Sequence, residues 1–491
     1  MLRGPSVRPF LRPPASVAPV ALAVFLSAVG ATLAAAQTPA PAPAPAPETT
    51  PAAPATAADP QTPPPQTTEE RIEALDQQLK ILARQLELEK EAATRTQSAA
   101  PVAVAGPAGF EIRSADGAFA VRFRGYIHAD TRYYANDDEA RGVDNFLLRR
   151  ARPVVEATAF KIFDFRIMTD FGGGTAVVQD AYVDARFAKP FNLRFGKTKG
   201  PIGQERLLSA TAIPFIERAL PTALVPNRDV GIYAYGDLTS WLAYQAGVFD
   251  GTIDGGSTDG DTTDSKDLVG RIVVTPFRPT KNERLQPLTV SFATSSGNER
   301  GTAAAPALAQ IRSGGQLVFF RYRADATVAG TTIADGRRTR FATSGNYYYG
   351  PLSLWAEHVV ARHEVRRALV TDQLSNQAWQ VTAGWVLTGE AATIRGVVPR
   401  KPFDRAKGGW GAFEIVGRVN ALTIDDDTFP VFASIDNSAR SAKAVGVGLN
   451  WYLNRAVKIS ADYELTTFDG GAVSADRGDE HSLFTRIQFS F

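Results

Sequence analysis

The chain has 491 residues, 44% of them hydrophobic, with no cysteine and a formal net charge of +2. Lack of cysteine excludes a disulfide scaffold, and the near-balance of charge confines any basic surface to a local patch, so no nucleic-acid partner is expected. Beyond the N-terminus no run of about 18 apolar residues occurs, which excludes a membrane helix; the spanning architecture that tolerates this composition is a closed β-barrel.

Residues 1–36 read as a secretory signal peptide. Arg3, Arg8 and Arg12 give a positive start, Val20 to Leu33 is apolar, and Ala34-Ala35-Ala36 offers a cleavage site before Gln37. Removal of those three arginines leaves 50 basic and 51 acidic residues, a net charge of −1. Residues 37–68 form a Pro/Ala-rich linker containing PAPAPAPAPETTPAAP, whose prolines favour an extended, semi-stiff spacer. In EERIEALDQQLKILARQLELEKEAA (69–93), Ile72, Leu75, Leu79, Leu82 and Leu86 recur at three- and four-residue steps. That is an a/d seam of about two and a half heptads, and it predicts a coiled-coil helix over 69–97. An amphipathic helix packed on its own barrel is the alternative. A second linker is expected over 98–109.

From Phe110 to Phe491 the helical period vanishes and the chain reads as an outer-membrane β-barrel. In AVRFRGYIHADTRYY (120–134), Arg122, Arg124, Tyr126, His128, Asp130 and Arg132 share one parity, and Val121, Phe123, Ile127 and Ala129 the other. FDFRIMTDF sets Phe165, Ile167 and Phe171 against Arg166 and Asp170. VVQDAYVDARF sets Asp180, Tyr182, Asp184 and Arg186 against Ala181, Val183, Ala185 and Phe187. AVGVGLNWYL and VKISADYEL repeat the theme around a tight Asn454-Arg455 turn. The last strand, HSLFTRIQFSF, ends on Phe491 in the manner of bacterial outer-membrane proteins. Some connections are tight; others are long and polar, such as 250–267. Tight turns at one end and long loops at the other suit an outer-membrane barrel. Charges facing hydrocarbon would cost roughly 2–4 kcal/mol each, so Arg122, Arg124 and Arg132 are assigned to a wet lumen. At about 10 residues per strand plus connections, residues 110–491 fit roughly 16 antiparallel strands.

Five stretches carry a resemblance: FLLRRARPVVEATAFKIFDFRIMTDFG (146–172), FGKTKGPIGQERLLSATAIPFIERALPTALVPNRDVG (195–231), WQVTAGWVLTGE (379–390), GGWGAFEIVGRVNAL (408–422) and LNWYLN (449–454). In this order they resemble the phosphate-selective porin O and P family. The resemblance implies a sixteen-stranded, homotrimeric outer-membrane channel for anions. It places a constriction loop at about Gly200 to Asn227, with Arg206, Ser209 and Arg218 matching its basic and hydroxyl lining. Arg206 stands where family members may carry lysine. Asp180 matches an acidic residue that tempers the site, and Arg149 and Arg150 match basic residues near the eyelet. Parity assigns Arg150 and Arg152 to the lumen but leaves Arg149 with Leu147 and Val155 on the other face.

Three functions are expected in turn. The first is passive passage of inorganic phosphate, polyphosphate or another small anion. The second is a channel of the same fold with broad or organic-acid selectivity. The third is a structural barrel whose stalk tethers the envelope, with peptidoglycan as the contact. No catalytic residue, cofactor or metal is expected. His128, His358, His363 and His481 form no HExxH or Cys/His cluster, and the six aspartates between Asp250 and Asp267 read as a solvated loop before a calcium site.

Overall fold

The computed structural model describes residues 67–106, 109–135, 142–261 and 263–491. The expected signal peptide, and the proline-rich spacer up to residue 66, lie outside them. The N-terminal helix and the barrel are described separately.

Helix α1 covers Thr68–Ala99. It opens on a reciprocal cap: Glu70 N–H donates to Thr67 Oγ1 at 3.4 Å, and Thr67 N–H donates to Glu70 Oε2 at 3.0 Å. Ile72, Leu75, Leu79, Leu82 and Leu86 are each more than half exposed in the single chain.

The alternation along residues 120–134 becomes one stave of a closed wall. After β1 (Val102–Gly106) and β2 (Gly109–Arg113) come β3 (Ala120–Tyr134), β4 (Asn145–Ala159), β5 (Phe163–Asp170), β6 (Val177–Ala188), β7 (Phe191–Thr198), β8 (Asp229–Asp237), β9 (Leu242–Phe249), β10 (Asp267–Val274) and β11 (Thr289–Arg300). Then follow β12 (Ile311–Arg312), β13 (Val318–Phe320), β14 (Ile333–Tyr349), β15 (Leu352–Arg367), β16 (Val370–Val386), β17 (Ala412–Thr423), β18 (Ala439–Tyr452), β19 (Val457–Ala472), β20 (Ala475–Asp476) and β21 (Glu480–Ser490). Each barrel strand pairs antiparallel with the next, and β21 pairs with β3 from Ser482↔Tyr134 to Ser490↔Tyr126, closing a sixteen-stranded barrel. Closure leaves the sixteen-stranded wall without a free edge, so its ladder bonds are internal.

Below the end of β21, the edge of β3 is taken by β2, with Phe110↔Phe123 and Ile112↔Val121. The stretch expected as linker over 98–109 thus contains β1, which pairs with β2. The alternation VAVA is a strand signal, short enough to be lost between the flanking prolines.

The burial is inside out. Phe123, Ile127, Ile167, Val447, Ile487 and Phe489 are exposed on the outer face, while Asp130, Arg150, Asp180, Asp462 and Arg486 are buried in the interior. Connections at the end carrying both strand termini are mostly short, such as 189–190, 350–351 and 453–456. The exceptions are 275–288 and, longest at this end, 387–411. There Ala392 and Val397 fold back onto Val386, Ala412, Tyr452 and Tyr348. The opposite end carries the long connections 199–228, 250–266 and 301–332, plus one tight turn at 368–369. Its aspartates are largely spent on ion pairs: Asp254 and Asp267 hold Arg340, Asp259 holds Lys197, and Asp261 holds Lys266.

The apolar core sits within the barrel. Ile202, Leu220, Leu224 and Val225 of segment 199–228 and Phe319 and Phe320 of segment 301–332 pack on Phe249, Val359 and Leu422 of the wall. Side chains fill one side of the lumen and leave the other open.

Candidate functional site

Segment 199–228 leaves the top of β7 and turns into the barrel. Gly203 makes the turn with φ of +79°, and a Cβ there would stand 2.7 Å from Val225 Cγ2, so glycine is required. The segment is then pinned to the far wall. Glu357 of β15 accepts the Gln204 N–H at 2.6 Å and the Glu205 N–H at 3.2 Å. Asn420 of β17 accepts from Leu220 N–H at 3.1 Å, and Asn450 of β18 donates to the Pro214 carbonyl at 2.9 Å. Arg418 and Arg486 donate to the carbonyls of Glu217 and Ile216 at 2.9 and 2.8 Å. These five anchors lie on β15 to β21. From the other side the segment is reached by side chains, Arg132 and Arg149 at Glu217 and Arg271 at Gln204, and the open passage lies between the segment and the wall from β3 to β10.

Three cavities follow one another along that passage. The upper, of about 750 Å³, is lined by Arg149, Arg150, Arg152, Arg206, Arg218 and Arg228. The middle, of about 320 Å³, is lined by Arg166, Asp180, Arg194, Lys199, Arg228 and Arg271. The lower, of about 380 Å³, is lined by Arg122, Glu156, Arg166, Tyr182, Asp184 and Arg186. Arg228 faces the first two, and Arg166 and Tyr182 face the last two.

Most of these cations carry a carboxylate partner. Arg122 pairs with Glu111, Arg152 with Asp170 at 2.7 Å, Arg194 with Asp184, and Arg186 with Asp164 at 2.7 Å. Asp180 bridges Arg228 at 3.2 Å and Arg166 at 3.3 Å. Among the described residues, four half-buried cations of the passage form no ion pair, Arg206, Arg218, Lys199 and Arg271; the exposed Arg312 at the upper cavity forms none either. Arg218 donates to the carbonyls of Glu205 (3.2 Å) and Leu208 (2.8 Å). Arg206 donates to the Thr222 carbonyl and, at 3.4 Å, to Asn227 Oδ1. Lys199 donates to the carbonyls of Leu207 (3.3 Å) and Leu208 (2.6 Å). Arg271 donates to Gln204, to Gln245 at 3.2 Å and to Ser291 at 3.3 Å. The Nε of Arg206 and of Arg150 have no acceptor among the described residues.

The protonated forms of these groups are disfavoured where they stand. Burial, then Arg218 and Arg228, push Arg206 down to about 9; burial foremost brings Arg218 to about 10. Burial, with Arg228 and Arg218 beside it, holds Lys199 well below the usual lysine value. An anion arriving between these groups relieves both the repulsion and the lost hydration.

The residues expected from sequence fall into three groups. Arg150, Arg152, Arg206 and Arg218 meet in the upper cavity; Ser209 and Asp180 line the middle one; Arg122 lines the lower. Arg124 and Arg132 lie outside these cavities. Arg124 pairs with Glu156 at 3.4 Å, and Arg132 with Glu217 at 3.1 Å. The Ser209 hydroxyl meets Thr211 Oγ1 at 2.8 Å.

Parity placed Arg149 on the outer face, and the structure corrects this. The register slips between His128↔Arg150 and Ala129↔Leu148, leaving Arg149 unpaired in the ladder as a β-bulge. The bulge lets two consecutive arginines point inward, and Arg149 Nε donates to Glu217 Oε1 at 2.6 Å. Other lining residues carried weak signals. Lys199 and Arg228 stand just outside the two ends of the loop read from sequence. Arg271 is on a strand with valines on both faces, where alternation is silent. Glu217 had no signal, because its role depends on four arginines converging on it, Arg132 of β3, Arg149 and Arg150 of β4 and Arg486 of β21.

The family model described as phosphate-selective porin O and P matches residues 119–491. Porin O of Pseudomonas aeruginosa is 24% identical over 439 residues, which cover 82% of this chain and 95% of that protein. The outer membrane channel DcaP of Acinetobacter baumannii shares the fold with a TM-score of 0.51 at 12% identity, over 78% of this chain and 100% of that one. The outer-membrane expressed OmpT of Vibrio cholerae does so with a TM-score of 0.50 at 12% identity, over 76% and 98%.

Proposed function

Because the chain belongs to the phosphate-selective porin O and P family, we propose that it forms a passive, anion-selective channel of the outer membrane, with phosphate or polyphosphate as the preferred solute. The observation that carries the reading is the set of four half-buried cations without ion pairs, Arg206, Arg218, Lys199 and Arg271, grouped on and beside the inward loop. Screening is weaker in a narrow lumen than in bulk, so such charges lower the entry barrier for anions and raise it for cations. Arg206 and Arg218 present planar forks suited to the oxygens of phosphate. Their remaining contacts are neutral carbonyls, which leave donor capacity for a solute and keep binding weak enough for exit. The wall arginines, neutralised by Asp180, Asp170 and Glu156, guide rather than hold.

The test is planar-bilayer recording. Reversal potentials in a chloride gradient should show anion selectivity, and millimolar phosphate should block chloride current. A cation-selective or unselective pore rejects the reading; an anion-selective pore indifferent to phosphate leaves only the broad or organic-acid channel, which the many carboxylate-paired arginines favour. Absence of conductance would leave the envelope-tethering barrel. The exposed leucine seam of α1 supports assembly as a homotrimer through a three-stranded stalk. Peptidoglycan is the contact we propose for such a stalk.

A further inference from the structure

The middle chamber holds more than an inorganic anion would use. Tyr126, Tyr182 and Tyr233 face it, together with Met168 and Leu207. Hydrogen-bond donors alone satisfy phosphate; aromatic and apolar walls add nothing to its recognition. Two of the four half-buried cations without ion pairs, Lys199 and Arg271, stand at this chamber. Both attach to the same short turn, Lys199 to the Leu207 and Leu208 carbonyls and Arg271 to the Gln204 side chain. The chamber thus has a cationic seat beside ring faces. Its volume of about 320 Å³ lies at the small end of ligand sites.

We propose that this chamber is a binding site for small organic anions bearing an aromatic ring, aryl carboxylates in particular. The carboxylate sits between Lys199 and Arg271, and the ring lies against Tyr126 and Tyr182. The inference rests on the reading that the lumen passes anions, and it adds a second site below the phosphate-preferring rim. Tyr182 already carries the Arg194 guanidinium 4.1 Å from its ring centroid, and Arg152 lies 5.7 Å over Tyr126. These contacts orient the rings, and they are the competing explanation for the tyrosines: clamps for arginine rather than a platform for a solute.

Benzoate and acetate separate the two, because they share the carboxylate and differ in the ring. Chloride current through the full-length channel should be blocked by benzoate at about tenfold lower concentration than by acetate, the scale of one aromatic contact in a dry site. In Tyr182→Leu, which keeps an apolar side chain and loses the ring, the benzoate-to-acetate ratio should fall to about twofold. Equal block by the two anions in the unmodified channel overturns the proposal, and that comparison needs no variant to assemble. A ratio unchanged in both Tyr182→Leu and Tyr126→Leu also overturns it. Loss of phosphate block with benzoate block intact would reject the phosphate reading alone. Cation selectivity would reject the channel reading itself.

Discussion

Arg149 of the β4 bulge and Glu217 of the inward loop form a two-pronged pair. Nε meets Oε1 at 2.6 Å and Nη2 meets Oε2 at 3.2 Å. The pair ties the wall to the loop at the rim of the passage, and Arg132 joins it at 3.1 Å. Burial alone would raise the Glu217 carboxyl, but Arg149 and Arg150 overrule it and hold it well below the usual range. The carboxylate stays charged, and its effect is to hold the arginines while subtracting from their field.

Glu217→Gln should therefore act in two directions. Breaking a buried pair by removing one partner costs about 3–5 kcal/mol, so the temperature at which the folded barrel loses its fast gel mobility should fall. The freed arginines should raise the chloride-to-potassium permeability ratio. If neither quantity moves, the pair does nothing at the rim.

Arg218→Ala and Arg206→Ala should each weaken phosphate block of chloride current by about tenfold, the worth of one charged hydrogen bond. Arg206→Lys should keep anion selectivity but bind phosphate more loosely, because a point charge replaces a fork. Block constants equal to those of the unmodified channel would remove both residues from the binding rim.

Lys199 makes selectivity depend on pH. Its pKa is depressed, so it sheds its proton at a lower pH than an ordinary lysine and regains it on acidification. Asp180 opposes that shift, while Arg228, Arg218 and Arg206 reinforce it. The chloride-to-potassium permeability ratio should rise on acidification, with Arg206 and Arg218 contributing at about 9 and about 10, and the rise should be smaller in Lys199→Arg, because a guanidinium gives up its proton less readily than an ammonium. Identical pH profiles in the two channels would place the titration elsewhere.

Glu357→Ala removes the acceptor for two loop N–H groups, Gln204 and Glu205. Two unsatisfied donors cost about 1–3 kcal/mol each, enough to release the turn that carries Arg206. Open-channel noise and single-channel conductance should increase. A quiet channel of unaltered conductance would show that the other anchors suffice.

Deletion of residues 69–93 should lower the stability of the trimer in detergent gels. A trimer of undiminished stability would retire the stalk from assembly.

Residues 110–491 announced the barrel because strand geometry is local. Side chains alternate with period two, and lipid tolerates charge on neither the wrong face nor an open edge. Arg122, Asp180, Asp462 and Phe489 could be placed on their faces from the chain alone. The helix at Thr68–Ala99 was readable over 69–97 because helical spacing is also local, from the three- and four-residue steps of Ile72, Leu75, Leu79, Leu82 and Leu86. What the chain alone left open is which arginines are neutralised. Arg152 and Arg218 look alike in sequence; Asp170 comes to the first across a hairpin, and only carbonyls reach the second. The inward face of Arg149 depended on a one-residue slip against β3, and Glu217 on a loop folded across the lumen to strands more than 200 residues away in the chain. Charge compensation acts over a few ångströms in space, whatever the distance in sequence, so it was decided only when the cylinder closed and the loop was pinned inside it.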